Sequence, residues 1–299
     1  MRKRVFAVML ALSLSMTSIL VPVSAAELSP DAATINEYDY VMALEDASAE
    51  ELEEVGLTKE DVSTLSAEFR NSIAERAQMT DKELGDLGYN AEEVALLRDY
   101  AQGEALTTAE LRAIAGECTG EIKLYNCGTK YAQFSYTWDW DHAPAISLAD
   151  SAAMKWVAFD SVSKAFDVTR YDLTCKIDYY VGPQKFYEGT GTEEPNLDFN
   201  VVNMQFNVLK SLGDQTYAYA KHGEVKVKVK VEEESDAIIN YIKIAGLYGH
   251  TLIGAGSPTV AVGPGVGNIS ISLTGNTSVD NIGGRKAKIG AGNTFEYIQ

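Results

Sequence analysis

The sequence predicts an α+β protein in which an acidic N-terminal helical-repeat region is followed by a C-terminal antiparallel β-sandwich. Three observations predict it. A helix-capping pattern is written twice, 32 residues apart, the apolar period changes from helical to two after Glu121, and the acid is concentrated in the first part of the chain. From Glu27 to Glu117 there are 23 Asp or Glu against 6 Lys or Arg, whereas Cys118 to Gln299 holds 20 against 16. The expected division is a leader at 1–26, a helical region at 27–117 and a β domain at 118–299.

The leader reads MRKRVFAVMLALSLSMTSILVPVSAAE. Arg2, Lys3 and Arg4 precede an apolar run from Val5 to Val21, then Pro22 and small residues. This is the layout of a secretory signal peptide, with cleavage expected after Ala25 or Ala26. The apolar run is short against the ~20 residues of a membrane span, so no stable span is expected once the leader is gone. No Cys follows the run to carry a lipid anchor, and the end NTFEYIQ has no apolar tail. The chain is expected to be secreted, extracellular or loosely held at the cell wall. Its formal charge of −18 becomes −21 without the three leader cations. That balance argues against nucleic acid, which asks for a basic footprint, and against long-range attraction to anionic lipid.

In the helical region, ELEEVGLTKEDVSTL (51–65) returns as ELGDLGYNAEEVALL (83–97). Ser48 stands three residues before Glu51, and Thr80 three before Glu83. This is the spacing of a capping box, in which the hydroxyl accepts from a helix N–H while the carboxylate reaches back to the cap. Gly56 and Gly88 fall where each short helix should stop, because glycine takes a left-handed C-cap conformation without a Cβ penalty. Thr58 with Asp61, and Asn90 with Glu93, restart a helix. Thr107 with Glu110 gives a further start. Val62, Leu65, Phe69 and Ile73 form one helical stripe, and Val94, Leu97 and Ala101 another. Units of this size bury a face by stacking on one another.

The turns Val55-Gly56-Leu57 and Leu87-Gly88-Tyr89 also have the form of a helix-hairpin-helix, but no Lys or Arg cluster surrounds them to hold a phosphate. The unit [ST]-x-x-E-L-x-x-[VL]-G-[LY]-[TN]-x-E-[DE]-V resembles hairpins of uncharacterised exported proteins of Gram-positive bacteria, often placed ahead of a β-rich part. The resemblance covers about a third of the chain and implies no known activity.

After Glu121 side chains alternate. Phe134, Tyr136, Trp138 and Trp140 share one face of YAQFSYTWDWD, with Ser135, Thr137, Asp139 and Asp141 on the other. Tyr171 to Val181, Val202 to Val208, and GEVKVKVKVEEE with Val225, Val227, Val229 and Val231 alternate likewise. AIINYIKIAGLYGHTLI, PTVAVGPGVGNISISLTGN and Ala287 to Tyr297 are β-branched runs broken by Gly, Asn and Pro. Eight or nine half-buried strands with no helix between them predict an antiparallel sandwich.

No HExxH, GxSxG, GxxxxGK[ST] or CxxC occurs, and no GxGxxG follows a strand. The usual hydrolase, zinc and nucleotide patterns are therefore missing. No catalytic residue, metal ligand or cofactor is assigned. The candidate ligand-binding residues are Tyr136, Trp138, Asp139, Trp140, Asp141 and His142, with Trp156 as a further aromatic. Rings on a sheet face stack on sugars, and adjacent acids accept from hydroxyls. The competing reading is that the four aromatics are the inward face of a core strand. Asp139-Trp140-Asp141 lacks the further spaced acids of a calcium loop. Three cysteines leave one unpaired: a Cys118–Cys127 bridge is one expectation, Cys127–Cys175 or no bridge the others.

These features predict a secreted, non-catalytic binding or cell-envelope interaction protein, whose partner is a cell-wall glycan or another envelope or secreted protein. One alternative is a secreted hydrolase of glycans or peptidoglycan using two carboxylates. Another is a β-pore-forming protein, with VKVKVKV as an inserting hairpin ahead of the charge-poor stretch Ile244 to Gly275.

Overall fold

The computed structural model describes residues 33–54, 57–195, 197–212, 217–252, 259–262, 271–274 and 279–298. The leader and the Val55-Gly56 turn lie outside them. Two seven-stranded antiparallel sheets, a two-stranded one and a set of helices make up the described chain.

Six helices follow one another: α1 (Glu37–Asp46), α2 (Ala49–Glu54), α3 (Lys59–Gln78), α4 (Asp81–Asp86), α5 (Ala91–Ala101) and α6 (Thr108–Ile114). Their starts obey local chemistry. Thr58, Thr80, Asn90 and Thr107 each accept from the backbone three residues on, and Asp61, Glu83, Glu93 and Glu110 each reach back to the cap N–H. Ser48 and Glu51 exchange the same two bonds, at 3.2 and 2.8 Å. Gly88 sits at φ +93°, and Tyr89 N–H closes the helix end on Leu84 O at 3.1 Å. A Cβ there would also meet Tyr219 Oη at 2.3 Å, so the position excludes other residues twice over. The region expected to be helical from Leu28 onward opens differently, with strand β1 (Ala33–Asn36).

Sheet A runs β1, β2 (Glu117–Cys127), β3 (Tyr131–Trp140), β11 (Tyr217–Lys230), β6 (Thr169–Val181) and β7 (Gln184–Gly189), with β10 (Leu209–Ser211) beside β11. Sheet B runs β16 (Thr294–Ile298), β15 (Val279–Gly290), β12 (Tyr241–Thr251), β4 (Ala149–Phe159), β9 (Val201–Asn207) and β8 (Thr192–Glu193), with β5 (Ala165–Phe166) beside β4. A separate pair, β13 (Thr259–Val262) and β14 (Ile271–Thr274), makes a third small sheet.

The main core joins the two large sheets. Phe134, Tyr136, Trp138, Val225, Val227 and Ile177 of sheet A share it with Met154, Trp156, Val202, Ile244 and Tyr248 of sheet B. Two glycines make room for the rings: a Cβ on Gly223 would lie 2.0 Å from Trp138, and one on Gly246 2.4 Å from Tyr136. The VKVKVKV run is the valine-inward part of β11, between β3 and β6. It is thus a central strand of sheet A.

The helices bury Val41, Leu65, Phe69, Leu84 and Leu97 in a second core that also contains Ala143, Ile146, Tyr219 and Leu252 from the β part. Contacts therefore cross residue 118. No helix among the described residues is long and apolar enough to cross a membrane, which is a statement about helices and not about strands.

All three cysteines are free and buried. The Cys118–Cys127 bridge fails on geometry, because the two lie at opposite ends of β2, against Trp140 and Ala132. Nine residues of strand span roughly 30 Å, while a disulfide needs Cα atoms within about 7 Å. Cys175 lies on β6, three strands from β2. Burial pushes the Cys127 and Cys175 thiols up to about 11 and raises the Cys118 thiol well above its ordinary value. Intact mass is expected to show three free thiols that resist iodoacetamide in buffer and all react in guanidinium.

Candidate functional site

The six residues proposed as a ligand face divide sharply. Tyr136, Trp138 and Trp140 are fully buried, with Trp138 stacked on Phe206 at 5.2 Å between ring centroids. Their face is covered by sheet B, so no sugar can stack on it. Trp156 is buried in the same core. His142 is buried too, its ring stacked on Tyr89 at 4.0 Å, and burial lowers its pKa. Only the acids open outward. Asp139 pairs with His222 Nδ1 at 3.2 Å and Asp141 accepts from the N–H of Glu117 and His142 at 2.9 and 2.7 Å. The aromatic strand is a core strand, and its candidacy as a binding face is corrected here.

The outward face of sheet A carries aromatics of its own. Tyr125, Tyr131 and Tyr171 are about half exposed. Tyr125 and Tyr171 stand where the ladders skip a residue, between Leu124 and Asn126 on β2 and opposite the Lys228/Val229 shift on β11. Such bulges re-aim side chains out of the regular alternation. Because Val225, Val227 and Val229 point inward, Lys226, Lys228 and Lys230 line the same outward face. The lysines are held in place: Lys226 lies 4.2 Å over the Tyr125 ring and 3.0 Å from Glu224, and Lys228 lies 2.7 Å from Asp172. Tyr125 donates its hydroxyl to Glu224, and Asn126 Nδ2 donates to the Tyr131 hydroxyl at 3.4 Å. The result is a broad surface of fixed rings and fixed donors. Sequence alternation exposed the lysines, but the bulges that present Tyr125 and Tyr171 left no local mark.

A second constellation lies where helices and sheets meet. Glu37 begins α1, Asp150 lies on β4 and His250 on β12, and all three are buried. His250 Nε2 faces Glu37 Oε1 at 3.0 Å and Nδ1 faces Asp150 Oδ2 at 2.9 Å, so each ring nitrogen meets a carboxylate. Burial by itself would lower the imidazole pKa, but Asp150 and Glu37 outweigh it and raise it to about 10. The group is an imidazolium between two anions.

Each carboxylate is satisfied further. Glu37 accepts from the N–H of Gly116, Ala145 and Ile146 at 3.1, 2.5 and 3.1 Å. Asp150 accepts from Thr251 N–H at 2.9 Å and from the Tyr248 hydroxyl at 2.6 Å, which in turn accepts from Trp140 Nε1 at 3.0 Å. Nearby, the buried Arg76 of α3 donates to the carbonyls of Ala143 and Pro144 and to the Tyr89 hydroxyl. Glu37 and Arg76 thus grip the same loop, one through its N–H groups and one through its carbonyls. With no face open to solvent, this arrangement holds α1, the 143–146 loop and sheet B together. Among the described residues, no group of three His, Cys, Asp or Glu is placed to hold a metal ion.

No family model and no curated protein matches the sequence. Among solved structures, AvmM, described as catalysing macrocyclization in alchivemycin A biosynthesis, is similar over 55% of this chain and 87% of that one, at 10% identity and a TM-score of 0.24. A likeness that low carries no argument about fold or activity.

Proposed function

We propose that this chain is an exported, non-catalytic binding protein of the cell envelope, in which a helical-repeat region and a β-sandwich form one platform that engages a cell-wall glycan. The observation that carries the reading is the outward face of sheet A, where Tyr125, Tyr131 and Tyr171 stand among the fixed side chains of Lys226, Lys228 and Glu224. Tyrosine rings offer apolar faces for the C–H side of a sugar, and the hydroxyl, ammonium and carboxylate groups beside them bond its hydroxyls. The leader-like N-terminus and the resemblance of the repeats to Gram-positive exported proteins support the extracellular setting. The ionic junction supports the single platform.

Co-sedimentation with purified cell-wall sacculi tests the reading. The wild-type chain is expected to pellet saturably. A Tyr125→Ala, Tyr171→Ala variant is expected to bind at least about thirtyfold more weakly, because losing a central aromatic anchor costs about 2 kcal/mol or more and each ~1.4 kcal/mol is tenfold. Both tyrosines are surface residues, so the variant should keep its circular dichroism. Equal pelleting of both proteins would remove the face from the argument, and no pelleting of either would remove the glycan.

A further inference from the structure

The two large sheets treat their lysines differently. Every lysine of β2, β6, β7 and β11 in sheet A stands within 4.0 Å of a carboxylate, from Lys185 with Asp178 at 2.6 Å to Lys221 with Asp139 at 3.8 Å. Sheet B reverses this. Among the described residues no carboxylate lies within that distance of Lys155, Lys243, Lys286 or Lys288, the lysines of its strands. Glu296 stands opposite Lys288 on β16 and does not pair with it. In a chain of formal charge −18, such a group of cations without counter-ions asks for a reason.

Register brings these lysines together. The main core takes Trp156 and Ala158 of β4, Ile242 and Ile244 of β12, and Ala287 and Ile289 of β15, so the residues between them face outward. Lys243 is directly opposite Lys288, and two residues along the strands Lys155 and Lys286 flank Ala245 from either side. Like charges set directly opposite each other cost stability. The floor of the patch is apolar: Val157, Phe159 and Ala245 are buried there, with Tyr241 and Ile298 packed against them. Phe159 and Tyr241 stack at 4.8 Å between centroids, with Lys243 Nζ 5.3 Å over the Phe159 ring and Lys288 Nζ 4.5 Å over the Tyr241 ring. A ring holds an ammonium in place without cancelling its charge. Lys243, Lys286 and Lys288 keep part of their surface open, whereas Lys155 is buried, which lowers its pKa against the pull of Asp198.

We propose that this outward patch of sheet B is an anion site that seats a phosphoryl group of a polyol- or sugar-phosphate polymer between Lys243 and Lys288, with Lys286 beside it. The cations are lysines, whose compact ammonium meets a tetrahedral phosphate as a point charge, whereas a planar carboxylate favours the fork of an arginine. The apolar floor selects an esterified phosphate over the bare ion, because the C–H groups of a polyol cover it and a hydrated ion does not. Phe159 and Tyr241 are occupied with each other and with the two ammoniums, so a nucleobase finds no free ring to stack on. The acidity of the chain as a whole opposes a polyanion only weakly at contact, since charges farther than about 8 Å are largely screened at physiological salt. The inference does not depend on the glycan-binding face, which lies on sheet A at the opposite side of the sandwich.

Isothermal titration calorimetry tests the site with poly(glycerol phosphate), inorganic phosphate and polygalacturonate as probes. The wild-type chain is expected to bind poly(glycerol phosphate) saturably and less tightly as salt rises, and to bind the other two more weakly for each charged group. A Lys243→Gln, Lys288→Gln variant is expected to lose at least about tenfold in affinity, because hydrogen bonds to charged groups are the strong ones. Its urea midpoint should hold, since the change removes two like charges set opposite each other. Lys243→Arg, Lys288→Arg keeps both charges and is expected to keep most of the binding. Lys286→Gln, which leaves the ring-held lysines in place, is expected to bind more weakly than wild type and reads the same site if the paired variant does not fold. The proposal is overturned if the wild type does not bind the polymer or if either Gln variant binds as tightly as wild type. Inorganic phosphate binding as tightly as the polymer would overturn it in favour of a bare-ion site, and polygalacturonate binding as tightly would overturn the phosphoryl class. Sacculus pelleting without polymer binding would leave the sheet A face standing and this inference refuted.

Discussion

His250→Ala is expected to cost about 3–5 kcal/mol, a large share of the roughly 5–15 kcal/mol that holds a protein folded. The substitution removes the cation from between Glu37 and Asp150 and leaves two buried anions facing the space it filled. Their backbone donors remain, but hydrogen bonds alone do not neutralise two charges out of contact with water. Urea denaturation near neutral pH measures the loss. His250→Gln keeps donor capacity without charge and is expected to fall between the variant and the wild type.

The same junction makes stability depend on alkalinity. The imidazole pKa is about 10 in the folded protein against 6.5 for an ordinary histidine, so folding keeps the proton on. The stabilisation is complete below the unfolded value and is lost as pH rises through the folded one. Between about pH 7 and pH 9, below the range where tyrosines ionise, the wild-type urea midpoint is expected to fall steadily. His250→Gln is expected to show a flatter profile. A wild-type midpoint that holds constant across that window would show that His250 is neutral when folded.

Trp138→Ala is the second large effect, expected at about 3–5 kcal/mol from lost burial and the cavity left behind. Trp138 lies between the sheets against Phe206 and Tyr248, with Gly223 beneath it on the neighbouring strand. Tyr248 cannot move far to refill the space, because its hydroxyl is bonded to Asp150 and Trp140. The surface variant Tyr125→Ala should by contrast change the urea midpoint little. A Trp138→Ala protein as stable as wild type would return the aromatic strand to the surface and reopen the ligand face there.

Local chemistry was legible because it is local. The capping pairs from Ser48 with Glu51 to Thr107 with Glu110 operate over three residues, and each forms in the structure. Alternation placed β6 and β11 because each has one wetter side, and β3 and β9 because polar residues alternate with apolar ones there even where both faces are covered. Strand β4 escaped the same reading for a physical reason. Buried on both faces nearly throughout, ADSAAMKWVAF has no polar side to write into its sequence. Strand β1 is only four residues long and borrows its conformation from β2.

The functional features divide along the same line. Period-two spacing by itself determined that Tyr136, Trp138 and Trp140 share a side and that three lysines of β11 share another. Only the tertiary structure decided which side is inward, because that depends on where a second sheet lies. It likewise decided that Cys118 and Cys127 are a strand's length apart and that Glu37 meets His250 across 213 residues of chain. A sequence constrains neighbours through backbone geometry, but a contact between distant segments exists only once packing has brought them together.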